Sequence, residues 1–384
     1  MTRNALHSRL AEEASSCTIS GIDALSFQPG TLANEDRYHI EEWALPDGKW
    51  QILAIFDGHG AGIEAVEFVQ TMLPFTIKDR LMAEVQKHQN AVITNSKIAE
   101  SLIESIRQVD EQIQQGILSL FPSNIQLDDL SDDNIRSAIL DPDSAEGNSR
   151  IEVLRAITGT TALVALVDPR GGIHVASLGD CDAVLGCESN LGWDATFLSS
   201  RHNCSNTVEV TRIQQEHPDE PECVDITRKR VLGLITVTRA IGDMLFKLPA
   251  FFASRVAPLS CPPMHPNYDV KGLAARNHTP PYISNTADIV HIPSPAIQSS
   301  SMTQRRLLIL ASDGLSNLLS PIEQLAEIGP RLCEAATSDG AANKAVNVLW
   351  DALTDVSGEN LYASMVSGEY GSRVDDTTII VCPL

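Results

Sequence analysis

The residues in this chain with the most chemical potential are carboxylates placed where apolar runs stop. Ile52-Leu53-Ala54-Ile55-Phe56 ends in Asp57-Gly58-His59-Gly60. Arg305 to Ala311 is mostly apolar and ends in Ser312-Asp313-Gly314, which repeats the same logic. Asn34-Glu35-Asp36-Arg37 precedes one alternating run, and Asp375-Asp376 enters the last one. Asp180 follows a further apolar run and a glycine. Carboxylates that gather at strand ends repel one another and resist burial unless metals or protons compensate them. One aspartate shared between two divalent ions answers that problem, and oxygen-only donors suit Mg²⁺ or Mn²⁺ better than zinc. Such a pair of ions would acidify a bridging water and aim it at phosphorus. His59 stands two residues from Asp57, and as imidazolium it would protonate a leaving alcohol oxygen. Plainer readings stand beside these. Asp57-Gly58-His59 alone also reads as a turn, and Glu35-Asp36 as a charged loop.

The elements that must hold these groups are legible in outline. The run 52–56 is short, β-branched and aromatic, with a glycine stop, so it reads as a buried strand. Residues 38–43 and 48–53 flank Pro46-Asp47-Gly48 and predict an antiparallel hairpin. Ile63, Val66, Val69, Leu73 and Phe75 fit one helical face. Ile93 through Ile113 predict a second and longer helix covering the same sheet. Residues 160–167, 173–178 and 183–185 are three successive strands with tight connections, hence antiparallel neighbours. Helices are expected over 321–332 and 341–353. The acidic, turn-rich stretch 122–150 reads as a solvent-exposed connection, and the proline-rich stretch 249–300 as an insertion wrapped on one domain of residues 1–384. His202 and His217 are isolated and read as surface histidines. Arg228, Lys229, Arg230, Arg239 and Lys247 make the main basic interval, either a docking surface for a phosphorylated or acidic substrate or a solvated face.

Composition narrows the function. Acidic residues number 50 and basic residues 28, a net charge of −22. That disfavours nucleic acid and anionic membranes and makes divalent cations natural partners. No apolar run approaches a membrane span. Eight cysteines at irregular spacing, with no Cys-x-x-Cys pair, point to reduced thiols and an intracellular home. Arg3 and Arg9 are followed at once by Glu12 and Glu13, which makes a weak organellar presequence. Neither a phosphate-cradling P-loop nor a Gly-x-Ser-x-Gly elbow is present.

With those residues in view, the chain resembles the metal-dependent PPM/PP2C serine/threonine phosphatases. The motifs occur in family order: Glu35-Asp36, Phe56-Asp57-Gly58-His59-Gly60, Gly159-Thr160-Thr161-Ala162, Gly179-Asp180, Arg239-Ala240-Ile241-Gly242-Asp243, Ser312-Asp313-Gly314 and Asp375-Asp376. Asn34-Glu35-Asp36-Arg37, Arg201-His202-Asn203, Leu232-Gly233-Leu234 and Thr279-Pro280-Pro281-Tyr282 look most like the pyruvate dehydrogenase phosphatase branch. The resemblance implies an α+β fold, an αββα sandwich of two antiparallel sheets flanked by helices. It implies that Asp57 bridges two Mg²⁺ or Mn²⁺ ions and that the Gly58 carbonyl joins one of them. Asp313 and Asp375 would ligate the other, Glu35 and Asp36 would act through waters, and Asp180 would serve a weaker third site. His59 would be the general acid for direct hydrolysis of a phosphorylated protein, without a phosphoenzyme. The branch points to the mitochondrial matrix, while the weak presequence leaves the cytoplasm open. Thr31 stands where many relatives carry a phosphate-gripping arginine, and Asn317 where they carry an acidic residue. Those departures keep open a catalytically weak regulatory or binding protein, and the chemistry alone does not separate protein phosphatase from small-molecule phosphomonoesterase. Oligomeric state has no signal in the sequence.

Overall fold

The computed structural model describes residues 9–29, 33–60, 62–87, 93–122, 126–262, 268–294, 305–319, 325–355 and 374–384. Thr31 and the expected helical residue Ile322 lie outside these.

The apolar strand runs are buried on both faces, and this explains why they carry no alternation. Sheet I has the strand order β14-β8-β7-β4-β3. Its members are β3 (Arg37–Leu45), β4 (Gly48–Phe56), β7 (Ala162–Val167), β8 (Ile173–Leu178) and β14 (Asp288–Ile292). Sheet II has the order β1-β2-β16-β15-β9-β10. It is built from β1 (Cys17–Ile19), β2 (Ile22–Phe27), β9 (Asp182–Ser189), β10 (Gly192–Phe197), β15 (Arg306–Ala311) and β16 (Thr377–Pro383). All the pairings within these two sheets are antiparallel. On β4, Leu53 and Ile55 point to the core shared with Leu308, Leu310 and Ile380 of sheet II. Ile52, Ala54 and Phe56 point the other way, into a core with helices α1 (Glu64–Lys87) and α2 (Asn95–Leu118). Ile309 and Val381 of sheet II likewise face helices α3 (Leu325–Ala336) and α4 (Lys344–Asp355). A strand with period-two side chains between two apolar layers must be apolar at every position. The outcome is the expected helix–sheet–sheet–helix sandwich. Each fully buried Leu, Ile or Phe contributes roughly 1.5–3 kcal/mol to holding the layers together.

Several expectations hold and others are corrected. The hairpin forms with Leu45 opposite Gly48 and Trp43 opposite Trp50. Helices α1 and α2 are equal at 24 residues each, although the spacing predicted the second to be longer. Phe75 faces solvent at 59% exposure, while Ile77 and Leu81 continue the buried stripe. The stretch 122–150 contains a helix, Asp132–Ile139, capped by Ser131 and anchored by buried Ile135 and Ile139. Residues 249–300 supply Phe252, Val256, Leu273 and Tyr282 to the largest core and β14 to sheet I. The third of the successive strands, β9, does not pair with β8. It crosses to sheet II between β15 and β10. A tight connection did not enforce hairpin pairing, because the chain passes between layers at Gly179-Asp180, where Gly179 has φ 109°.

Candidate metal centre

Strand register brings the carboxylates together. Arg37 pairs with Phe56, so Asp36 and Asp57 emerge side by side at one end of sheet I. Ala311 pairs with Asp182, so two residues further on Asp313 comes level with Asp180 at the end of sheet II. The sandwich therefore opens on a mouth lined from both layers. Oxygen atoms of Asp57, Asp180 and Asp313 lie within 4.8 Å of one another. Asp180 therefore lies in one cluster with Asp57 and Asp313. Asp375 sits at the exposed rim, tied to Asp313 by Asn317, whose Nδ2 donates to Asp313 Oδ2 (3.3 Å) and Asp375 Oδ2 (3.4 Å). Asp376 turns inward and accepts from Gln28 Nε2 and the Glu35 backbone N–H, so its role is to hold the Glu35 loop.

The electrostatics are those of charge without compensation. Burial, followed by Asp36, Asp313, Asp180 and Asp375, drives the Asp57 carboxyl well above the usual range. Burial pushes Asp36 up to about 7 against the hydrogen bond from Ser312, with Asp376 and Asp313 adding to the rise. Asp313 rises to about 7 through burial, Asp180 and Asp375. Glu35 reaches about 7 through burial and Asp376, opposed by His59. Burial also raises Asp180, against the amide of Asn203 at 2.9 Å. Asp36 Oδ2 accepts from Ser312 Oγ at 2.7 Å, whereas its buried Oδ1 has no partner among the described residues. A buried carboxylate oxygen left unpaired beside three clustered aspartates is the donor set a hard divalent cation requires. Gly58 is glycine for a steric reason: a Cβ there would meet the Glu35 carbonyl at 2.5 Å.

His59 leaves β5 (Gly58–His59), the edge of a small ladder β13-β6-β5 completed by β6 (Gly159–Thr160) and β13 (Ile241–Gly242). Its Nε2 lies 2.7 Å from Asp243 Oδ2. Burial pulls the imidazolium down, but the charge and hydrogen bond of Asp243, with Asp180 and Glu35, outweigh it and leave the group raised. The sequence places Asp243 in the Arg239-Ala240-Ile241-Gly242-Asp243 motif but assigns it no role. The available signal was its position after Gly242, which permits the left-handed turn (Asp243 φ 53°) that aims its carboxylate back at His59. Gly159 makes room for the pair, since a Cβ there would stand 2.3 Å from Asp243 Oδ2 and 2.5 Å from His59 Nε2.

Residues read as surface groups prove buried. His202 is 1% exposed; its Nδ1 accepts from the Gly179 N–H and its Nε2 faces Asp288, which steadies the Asp180 turn. His217 is buried against Tyr282 and Thr279. Arg239 and Lys247 leave the basic interval, because each is withdrawn into ion pairs, with Glu209 and Asp110 respectively.

With this geometry established, comparison with known proteins is decisive. The family model described as protein phosphatase 2C matches residues 97–348, more than half of the 384-residue chain. The chain belongs to that family, a class of hydrolases. The matched interval holds Asp180, Asp243 and Asp313, while Glu35, Asp36, Asp57, His59 and Asp375 lie outside it. A human protein named pyruvate dehydrogenase (acetyl-transferring)-phosphatase 1, mitochondrial, is 31% identical over 207 residues, 54% of this chain and 36% of that one. A protein phosphatase 2C homolog of Schizosaccharomyces pombe is 26% identical across 77% of this chain and 59% of its own. The chain thus spans about a third to three fifths of the length of these relatives. The crystal structure of a serine-threonine phosphatase 2C from Toxoplasma gondii shares the fold, with a TM-score of 0.55, 15% identity and coverage of 95% of this chain and 96% of that one. Among the described residues, no helix is long and apolar enough to cross a membrane.

Proposed function

We propose that the protein is a metal-dependent serine/threonine protein phosphatase. The observation that carries this reading is the uncompensated cluster Asp57, Asp180 and Asp313 lying next to a histidine already paired to a carboxylate. Asp57, Asp180 and Asp313, with Asp375, the Gly58 carbonyl and the more distant Glu35 and Asp36, would hold Mg²⁺ or Mn²⁺, two ions at the core and a weaker third. When bound, such ions neutralise phosphate charge and supply an acidified water. Water attacks phosphorus, the bond to the seryl or threonyl oxygen breaks, and His59 gives that oxygen a proton. Asp243 holds Nε2, which leaves Nδ1 as the nitrogen that would give the proton. The attacking water releases a proton, the imidazole regains one, and the products are alcohol and inorganic phosphate.

The names of the mitochondrial relatives support a phosphorylated pyruvate dehydrogenase, or a related protein, as substrate and the matrix as compartment. The test is phosphate release from phosphothreonine peptides, including one from the pyruvate dehydrogenase phosphorylation loop, with Mn²⁺, Mg²⁺ or a chelator. Release should need the metal and fall about 10³-fold or more in Asp57→Asn, the several kcal/mol a metal supplies. Metal-independent release, or none at all, would sink the proposal. Faster turnover of small phosphomonoesters than of every peptide would move the assignment to a metabolite phosphatase.

A further inference from the structure

Asp110 lies in the middle of α2, on the face that carries the fully buried Ile106 and Val109, and is itself 3% exposed. A carboxylate on an apolar helix face costs stability unless its partners are fixed. Here Oδ1 accepts from the Gly242 N–H (2.9 Å) and from Lys247 Nζ (2.6 Å), and Oδ2 accepts from Asn285 Nδ2 (2.8 Å). Lys247 also donates to the Ala240 carbonyl at 2.8 Å. The carboxylate therefore grips both ends of the turn 240–247. Within that turn stands Asp243, in a left-handed conformation unfavourable to a side-chain-bearing residue, with its own N–H bonded to the Thr158 carbonyl at 2.9 Å. The same turn feeds the ladder to the histidine, because Gly242 pairs with Gly159 and Gly159 with His59.

We propose that Asp110, with Lys247, is a positioning residue for proton donation: it acts through the Gly242 amide and the Asp243 turn to hold the His59 ring with Nε2 on Asp243 and Nδ1 towards the leaving oxygen. The inference rests on the phosphatase reading above. An ion pair buried at 4% and 6% side-chain exposure contributes little net stability compared with an apolar pair of the same volume. What it supplies here is a defined place for one backbone N–H beside the Asp243 carboxylate, a degree of fixation that apolar packing does not give.

The experiment compares two esters with the metal-loaded full chain. A phosphothreonine peptide leaves as an alkoxide and needs a proton, whereas 4-nitrophenyl phosphate leaves as a stable phenolate and does not. Asp110→Asn should slow the peptide reaction at least tenfold more than the nitrophenyl reaction. In a His59→Gln background, adding Asp110→Asn should slow the peptide no further, because the two residues act as one unit. If Asp110→Asn fails to fold, the double variant Asp110→Asn/Lys247→Met removes both buried charges and takes the same tests. Equal losses on both esters, or losses that multiply with those of His59→Gln, would overturn the proposal and leave the phosphatase reading intact. A wild-type protein that hydrolyses neither ester overturns both.

Discussion

Glu209 and Asp57 are both carboxylates drawn into the protein, yet one sits among guanidinium groups and the other among carboxylates. Arg239 grips Glu209 through Nε (3.0 Å) and Nη2 (2.6 Å), Arg212 adds Nη2 at 3.0 Å, and Thr238 donates at 2.7 Å. Burial pushes Glu209 up, but those partners hold it down at about 2. Asp288, bonded to the same Arg239 and to His202, is also lowered. At the sandwich mouth the principal neighbours of Asp57 are Asp36, Asp313, Asp180 and Asp375, and its carboxyl goes the other way. The difference teaches how to tell a structural carboxylate from a ligand-holding one. Folding completes the first network by itself. The second is left with an excess of negative charge that protons or a bound cation would compensate.

Four changes test that contrast. The largest effect is expected from Glu209→Gln, which removes the buried carboxylate shared by the two half-buried guanidinium groups of Arg212 and Arg239. It should cost about 3–5 kcal/mol of stability, read by chemical denaturation. Asp57→Asn makes the same chemical change at the mouth and should do the opposite, raising the melting temperature of metal-free protein by removing repulsion. A fall comparable to that of Glu209→Gln would end the distinction.

The pH response separates the two regions next. Glu35, Asp36 and Asp313 rise to about 7 in the folded metal-free protein, from ordinary values near 4. The folded form then binds more protons than the unfolded one between those limits, so stability falls as pH climbs from about 4 through 7. Glu209 is lowered from 4.5 to about 2, so its contribution is present above 4.5 and lost as pH falls towards 2. Thermal scans of chelated protein should show the first decline, and saturating Mn²⁺ should flatten it. A decline unaffected by metal would place the titration elsewhere. The smallest effect concerns Asn317, which ties Asp313 to Asp375 without adding charge. Asn317→Asp should tighten Mn²⁺ binding by about tenfold in calorimetry, within the range for groups that orient metal ligands. Weaker binding would mean that the amide matters more than the charge.

Much of the candidate site was legible because it is local. Strand-Asp-Gly recurs at Asp57 and Asp313, and Glu35-Asp36 and Asp375 border strands at places the structure keeps. The hairpin and the two long helices were readable for the same reason: their apolar periodicity is a short-range pattern. Other features were not readable. His202 and His217 carry no sequence mark of burial, because their partners Asp288 and Thr279 lie 86 and 62 residues away. Arg239 and Lys247 looked like surface charge until distant carboxylates claimed them.

The sequence by itself determined the parts: apolar runs whose length and β-branched content read as buried strands, each delivering a carboxylate at its end, and an acid excess that invites a cation. Only the tertiary structure decided which carboxylates meet. Asp180 joins Asp57 and Asp313 because β9 leaves the sheet of its neighbour β8 and pairs with β15 instead. His59 acquires Asp243 because a left-handed turn 184 residues away is pinned next to it through a three-strand ladder. Register and layer crossing are set by packing between remote segments, and no local pattern of residue types encodes them.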